Sequence, residues 1–396
     1  MTNWKETTLD EIATITMGQS PLSESYNLIG DGLPFYQGVT EFGDKYIGIK
    51  SYTNSPTKIL DAGSILFSVR APVGQVNITK NKCCIGRGNA GLVMKNGEQE
   101  FLYYLLTHLE KNILKNTTGT VFDSISGVEL RKFPVLIPES KEEQKEIAGV
   151  LSSLDDKIEL LQEENKTLEA TAQAIFKEWF VNFNFPGATG KMIDSELGKI
   201  PEWWGVGKIK DLINIFSGFA FSSSDFIQNG KYRLVTIKNV QDRYFVQDIK
   251  DTFDDLPLKM PQYCHLKTGD ILLSLTGNVG RICLVVGENY LLNQRVAKLE
   301  AINGKDYAFT YLLFLQESIF SLLQNTASGT AQQNLSPVQT KEIEIVMPAR
   351  FVLDTFGDIG NPMIKKVNQN NFQIQTLSTF RDTLLPKLMS GDLRIK

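Results

Sequence analysis

Residues Leu60–Gly74 read LDAGSILFSVRAPVG, and residues Leu266–Gly280 read LKTGDILLSLTGNVG. Gly63 falls on Gly269 and Gly74 on Gly280, a displacement of 206 residues. Working outward toward the N-terminus, Trp4, Leu9, Ile12 and Gly18 align with Trp204, Ile209, Leu212 and Gly218, displaced by 200. Toward the C-terminus, Gly119, Thr120, Ser126 and Pro138 align with Gly329, Thr330, Ser336 and Pro348, displaced by 210. Landmarks that keep their order over about 130 residues mark an internal repeat, so one structural unit is written twice. The drifting displacement puts the length differences in loops, where binding residues tend to sit.

Within each copy the periodicity is mixed. GSILFSV and GDILLSL are short apolar runs opened by glycine, and GLVMK and AKLEA read as companion strands. FLYYLLTHLEKNIL and FTYLLFLQESIFSLL carry apolar residues at helical spacing and predict one helix per copy. FPVLIP and IEIVMP then close each domain with a strand ended by proline. The expected fold class is mixed α/β (α+β), with two similar globular domains at residues 1–140 and 204–350.

After Pro138 the pattern changes. Ile147, Leu151, Leu154, Ile158, Leu161, Asn165, Leu168, Ala172, Ile175 and Trp179 follow at alternating spacings of four and three, a coiled-coil seam. Residues 141–183 hold 5 Lys and Arg against 10 Asp and Glu, so most of the acidity behind the chain's net charge of -4 lies on this helix's solvated face and the rest of the chain is near neutral. Met363, Val367, Ile374, Leu377, Leu384 and Leu388 repeat the stripe within 351–396, interrupted by Asn370 and Arg381. Gly357, Gly360 and Pro362 predict a late start near Met363 and a shorter second helix. Neither stripe has a stable use alone, so the economical arrangement is an antiparallel coiled coil of the two helices with a pseudo-two-fold repeat. Its seam takes Leu151, Leu154, Ile158, Leu161, Leu168 and Ile175 from the first helix and Val367, Ile374, Leu377 and Leu384 from the second. Residues 184–203 are left as a linker.

The composition of this 396-residue chain, 42% hydrophobic and 22% charged, is that of an ordinary globular protein. No apolar run approaches the ~18 residues that span a bilayer, so no membrane partner is expected and the cytoplasm is the default location. Cys83, Cys84, Cys264 and Cys283 form neither a CxxC pair nor a disulfide scaffold, and are read as reduced, buried thiols. His108 and His265 have no companions at metal-ligand or triad spacing, so neither a metal nor a catalytic set is assigned. GRGNAG (Gly86–Gly91) matches GxGxxG, yet a strand follows where a dinucleotide fold needs a helix. GNPMIKK (Gly360–Lys366) lacks the second proline and the aromatic residue of an amino-methyltransferase motif.

What remains is polar loop chemistry at matching places in both copies. TGTVFDSIS (Thr118–Ser126) and SGTAQQNLS (Ser328–Ser336) share a Gly-Thr turn and differ between. Thr120, Ser124, Thr330, Gln332, Gln333 and Asn334 lie there, and the amides of the last three suit adenine edges. Thr276 and Asn278 lie in the second copy's glycine-rich segment, and Arg70, Arg87, Arg281 and Arg295 in or beside such segments of either copy, where phosphate or guanine is within their chemistry. A single-chain enzyme and a protein-binding scaffold with no DNA role are the rival classes; the first lacks a catalytic constellation.

MIDSELGKIPEWWGVGKIKDL (Met192–Leu212), SGFAFSSSDF (Ser217–Phe226), GDILLSLTGNVG (Gly269–Gly280), SGTAQQNLS (Ser328–Ser336) and the helix from Glu142 to Phe180 together resemble the specificity subunit of type I restriction-modification systems. The similarity covers nearly the whole chain, with the segments in family order. It implies two target-recognition domains, each reading one half of an asymmetric bipartite site on double-stranded DNA, separated by helices that act as a ruler. Two methyltransferase subunits would dock on the helices, and restriction subunits would complete the complex. S-adenosylmethionine, ATP and Mg²⁺ would belong to those partners, and this chain would hold no cofactor and catalyse nothing.

Overall fold

The structure, a computed structural model, describes residues 3–116, 124–328 and 333–395. It divides into two units, Met1–Lys157 with Leu377–Lys396 and Ile158–Thr376.

In the first unit the quoted run Ile65–Ser68 is a strand with all four side chains buried, as a run without alternation should be. It lies inside an antiparallel sheet ordered Ala13–Met17, Asn89–Met94, Ile65–Ser68, Val76–Ile78. The helix Gln99–Asn116 covers one face, and Phe101, Leu102, Leu105 and Leu106 join Ile65, Phe67 and Leu92 in the core. A second sheet holds a parallel pairing of Leu33–Tyr36 with Cys83–Ile85, in register at Phe35 and Cys84. Tyr36, Leu60, Leu66, Cys83 and Ile85 make its core. Trp4–Thr8 pairs with Pro134–Pro138, bringing the two ends of the domain together.

The second unit repeats this plan. Its antiparallel sheet runs Ile213–Ser217, Val296–Ala301, Ile271–Ser274, Ile282–Leu284. A parallel pair again joins the second sheet, Tyr232–Val235 with Tyr290–Leu292, and Gly205–Lys208 closes on Glu344–Met347. The matched glycines have a matched reason. A Cβ on Gly18 would stand 2.1 Å from the Gly86 carbonyl oxygen, and one on Gly218 would stand 2.3 Å from that of Leu292.

One expected helix is two. Tyr307–Phe314 ends at Leu315, Gln316 is extended, and Glu317–Thr326 follows. Every residue from Ala308 to Phe314 is buried, whereas the next helix buries Ile319 and Leu323 and exposes Phe320 and Leu322. The equivalent helix of the first domain, Gln99–Asn116, is also enclosed over residues 101–106 yet runs on unbroken, so the break belongs to the second copy alone. The stretch read as a linker contains a hairpin, Met192–Ser195 with Gly198–Pro201.

The first long helix spans Lys141–Phe176, about 54 Å at the helical rise, and ends in a wider turn at Lys177–Val181. The second spans Arg350–Met389, 40 residues, which corrects the expected late start near Met363 and makes it about as long as the first with its wider turn. Its early glycines are places of close approach. A Cβ on Gly357 would lie 2.3 Å from the Lys305 oxygen, and one on Gly360 would lie 3.0 Å from Ala308 Cβ. Asn361 Oδ1 accepts the Ala308 N–H at 2.8 Å while its Nδ2 donates to the Lys305 oxygen at 3.0 Å. Pro362 points outward and gives up one backbone hydrogen bond, a loss this packing offsets.

The two helices pair antiparallel. In the second unit Glu164 meets Lys366 and Asn370, and further along the first helix Phe176 meets Phe356, further back on the second. In the first unit Asp155 meets Arg381. Leu151, Ile158, Leu161 and Val367 are buried, and Leu154, Leu168, Ile175, Ile374, Leu377 and Leu384 half-buried. Two similar mixed α/β domains and a paired-helix region therefore make up the fold.

Candidate nucleic-acid interface

The loop residues singled out in the two copies come together on one backbone scaffold, built twice. In the first domain the chain leaving Ile65–Ser68 is held from both sides. Val69 donates its N–H to the Gly88 oxygen at 2.9 Å, and Ile125 donates to the Val69 oxygen at 2.9 Å. Arg70 and Ser124 then form an isolated β-bridge. In the second domain Leu275 donates to the Arg295 oxygen at 3.0 Å, Leu335 donates to the Leu275 oxygen at 2.7 Å, and Thr276 bridges Asn334. Three segments far apart in sequence thus meet at one edge of each domain.

The side chains on this edge differ between the domains. Arg70, Arg87 and Ser124 are exposed in the first, and Asn278, Arg295, Gln333 and Asn334 in the second. Arg87 is steadied by its backbone N–H, which donates to Ser20 Oγ at 3.3 Å, and Ser20 Oγ donates to Gln37 Oε1 at 3.1 Å. Gly277 donates to the Gln333 oxygen at 3.3 Å, and Asn334 and Ser328 exchange backbone bonds at 2.8 and 3.0 Å, so both residues are held by main chain while their amides face out. Thr276 is half-buried, and its Oγ1 is buried without a hydrogen-bond partner among the described residues. The Asn278 oxygen accepts Ser274 Oγ at the tip of the same turn. Arg281 is placed apart from this exposed set, its guanidinium bonded to Gln241 Oε1. Thr120, Thr330 and Gln332 lie outside the described residues.

Sequence reasoning missed Ser20 and Gln37 in the first domain and Asn293, whose Oδ1 accepts the Arg295 N–H at 3.1 Å, in the second. Gln37 arrives beside Gly86–Gly88 only through the parallel pairing of Phe35 with Cys84, which no local pattern announces. Extending the Gly18 and Gly218 match by a few residues points to the Ser20 loop.

The helix seam carries polar chemistry of its own. Asn165 Nδ2 donates to Asn371 Oδ1 at 2.7 Å, and Asn370 Nδ2 donates to Asn165 Oδ1 at 2.9 Å and to Glu164 Oε2 at 3.0 Å. The residues that interrupt the second stripe are therefore partners of polar residues on the first helix. In the first unit Asp155 accepts both Arg381 Nη1 at 2.7 Å and the Tyr104 hydroxyl at 2.6 Å. Burial, and then the Asp155 charge, push the Tyr104 phenol far up, which keeps it a donor.

An open cavity of about 810 Å³ in the second unit is lined by Asp270, Lys298, Tyr307, Asn368 and Phe372 among others, and by none of the loop candidates. Lys298 and Asp270 pair there at 3.1 Å. Among the described residues no three His, Cys, Asp or Glu side chains gather as a metal-holding group, and no helix is long and apolar enough to cross a membrane.

Comparison with known proteins accords with this arrangement. The type I restriction modification DNA specificity domain matches residues 1–170 and 201–350. The MjaIX specificity subunit of Methanocaldococcus jannaschii is 28% identical over 415 aligned positions, covering 100% of this chain and 94% of that protein. The putative MjaX specificity subunit of the same organism is 43% identical over 163 positions, 41% of this chain and 38% of that one. The HindI specificity subunit of Haemophilus influenzae is 24% identical over 99% of this chain and 100% of its own. For the fold alone, the crystal structure of a type I system S subunit from M. genitalium superposes with a TM-score of 0.63 at 20% identity, covering 98% of this chain and 96% of that one. With two matched specificity domains on a doubled scaffold, the chain belongs to the specificity subunits of type I restriction-modification systems.

Proposed function

We propose that each domain reads one half of an asymmetric bipartite site on double-stranded DNA through the doubled edge, while the paired helices set the spacing and dock two methyltransferase subunits. The observation that carries this is the pairing of Arg70 with Ser124 and of Thr276 with Asn334 on equivalent scaffolds. The backbone is repeated and the exposed side chains are not, as two readers of different sequences require. Arginine forks suit guanine and phosphate, and the Gln333 and Asn334 amides suit adenine, in a major groove wide enough to admit such an edge.

Catalysis falls to the partners. Methyltransferase subunits would supply S-adenosylmethionine, and restriction subunits ATP and Mg²⁺ chemistry, all in the cytoplasm. A target adenine would be flipped into a partner's pocket at a cost of a few kcal/mol of unstacking. Partner subunits enclosing the duplex also relieve the near-neutral charge of the domains. Methylome sequencing of a strain with and without this gene tests the reading. A bipartite adenine-methylated motif should vanish on deletion, and an unchanged methylome would sink the proposal.

A further inference from the structure

Asp155 stands where three separately folded pieces of the first unit meet. It lies on the first long helix; the Tyr104 hydroxyl that bonds its Oδ2 at 2.6 Å comes from the helix packed on the domain's sheet. The Arg381 guanidinium that bonds its Oδ1 at 2.7 Å comes from the second long helix. Asp155 is 7% exposed and Tyr104 1%. Beside them the Lys45 ammonium lies over the Tyr103 and Tyr104 rings, 5.9 Å from each centroid, and 3.9 Å from Asp156. One carboxylate therefore ties the globular domain to both helices at once.

Apolar packing is non-directional, so a sheet-backed helix resting on a leucine seam loses little when it slides or rocks. A buried carboxylate behaves otherwise. Its two bonds are made in one arrangement, and any displacement leaves a charge buried and unpaired. Arg381 occupies a seam position where an apolar residue would pack. A polar group there is poor value for stability, because well-packed apolar replacements of buried ion pairs are often as stable or more so. Its use is better sought in orientation.

We infer that Tyr104, Asp155 and Arg381 are positioning residues that hold the first domain in one orientation on the helices of its unit and so fix the accepted spacer length between half-sites. This rests on the two-half-site reading above. B-DNA advances about 3.4 Å and turns roughly 35° per base pair, so a domain free to rock by a few ångströms meets the neighbouring step while a locked one does not.

The test is a methylome of cells carrying the complete system with wild-type subunit, with Tyr104→Phe, and with Tyr104→Phe, Asp155→Leu and Arg381→Met together. The single variant removes one hydroxyl, and the triple variant replaces the three bonded groups by apolar ones while Lys45 keeps Asp156, which keeps folding from deciding the result. Both half-site sequences should be retained. Methylation at sites whose spacer is one base pair longer or shorter should rise about tenfold or more over wild type, the scale of losing one directional bond to a charged group. The purified triple variant should melt no lower than the single variant. A single spacer length in both variants, or a uniform fall in methylation that follows the melting temperature, overturns the inference. A wild-type methylome with no bipartite motif overturns the two-half-site reading instead, and the inference with it.

Discussion

Asn370 Nδ2 lies 2.9 Å from Asn165 Oδ1 inside the seam of the two long helices, with Asn370 wholly buried and Asn165 8% exposed. The bond runs one way, since Asn165 Nδ2 donates instead to Asn371 Oδ1 and Asn370 Oδ1 is buried without a partner among the described residues, so Asn165 Oδ1 depends on Asn370. Asn370→Leu should cost about 1–3 kcal/mol, because it leaves the buried Asn165 oxygen unpaired. Replacing both residues by leucine should recover that loss, since an apolar seam needs no partner. Urea unfolding of the two single variants and the double variant measures the coupling. Additive losses would show that the two amides do not act together.

Asn165 was visible in the sequence as a polar member of the heptad seam, but its meaning was not, because its partner stands 205 residues away. The same holds for Arg381, legible only as an interruption until Asp155 is placed opposite it. Periodicity names the faces that are buried and is silent on which faces meet. The doubling of the sheets was readable: the paired runs at Ile65–Ser68 and Ile271–Ser274 became the same strand of the same sheet order, whereas the split helix at 307–326 and the early start at Arg350 were not. The edge residues were readable in part, since Arg70, Ser124, Thr276 and Asn334 sit in loops whose glycines match, whereas Gln37 depends on a strand pairing distant in sequence.

Gly357 separates local from tertiary reasoning. Helix propensity alone says Gly357→Ala should stabilise by about 1 kcal/mol. A Cβ there would stand 2.3 Å from the Lys305 oxygen, a backbone atom that cannot swing away. Overpacking of that kind costs about 1–3 kcal/mol and wins. Thermal unfolding of Gly357→Ala should therefore show a lowered melting temperature, and a raised one would mean that this helix does not press on residues 305–308.

All four thiols are free and buried. Burial pushes the Cys83 thiol up to about 11, and Cys283 is raised as well by the same cause. Since a raised thiol pKa means less thiolate below it, at pH 8 only about one part in a thousand of Cys83 would be reactive even if reached. Iodoacetamide at pH 8 should leave the native chain unlabelled over the time that modifies a free thiol, and should label all four in urea. Rapid alkylation of the native protein at Cys83 or Cys283 would contradict their enclosure.

Gln333 and Asn334 offer the sharpest test of the recognition edge, because their structural and proposed roles fall on different atoms. Their main chain holds the edge together through Gly277 and Ser328, and their side chains are exposed. Alanine at both positions keeps every one of those backbone bonds, so the melting temperature should stay put. A bidentate amide-to-adenine contact carries about 1–3 kcal/mol of discrimination, which alanine removes. The methylome of the double variant should then accept additional bases at one or two positions of a single half-site and leave the other half-site as it was. Relaxation of both halves together would point to a general loss of affinity, and an unchanged motif would remove these two residues from the reading surface.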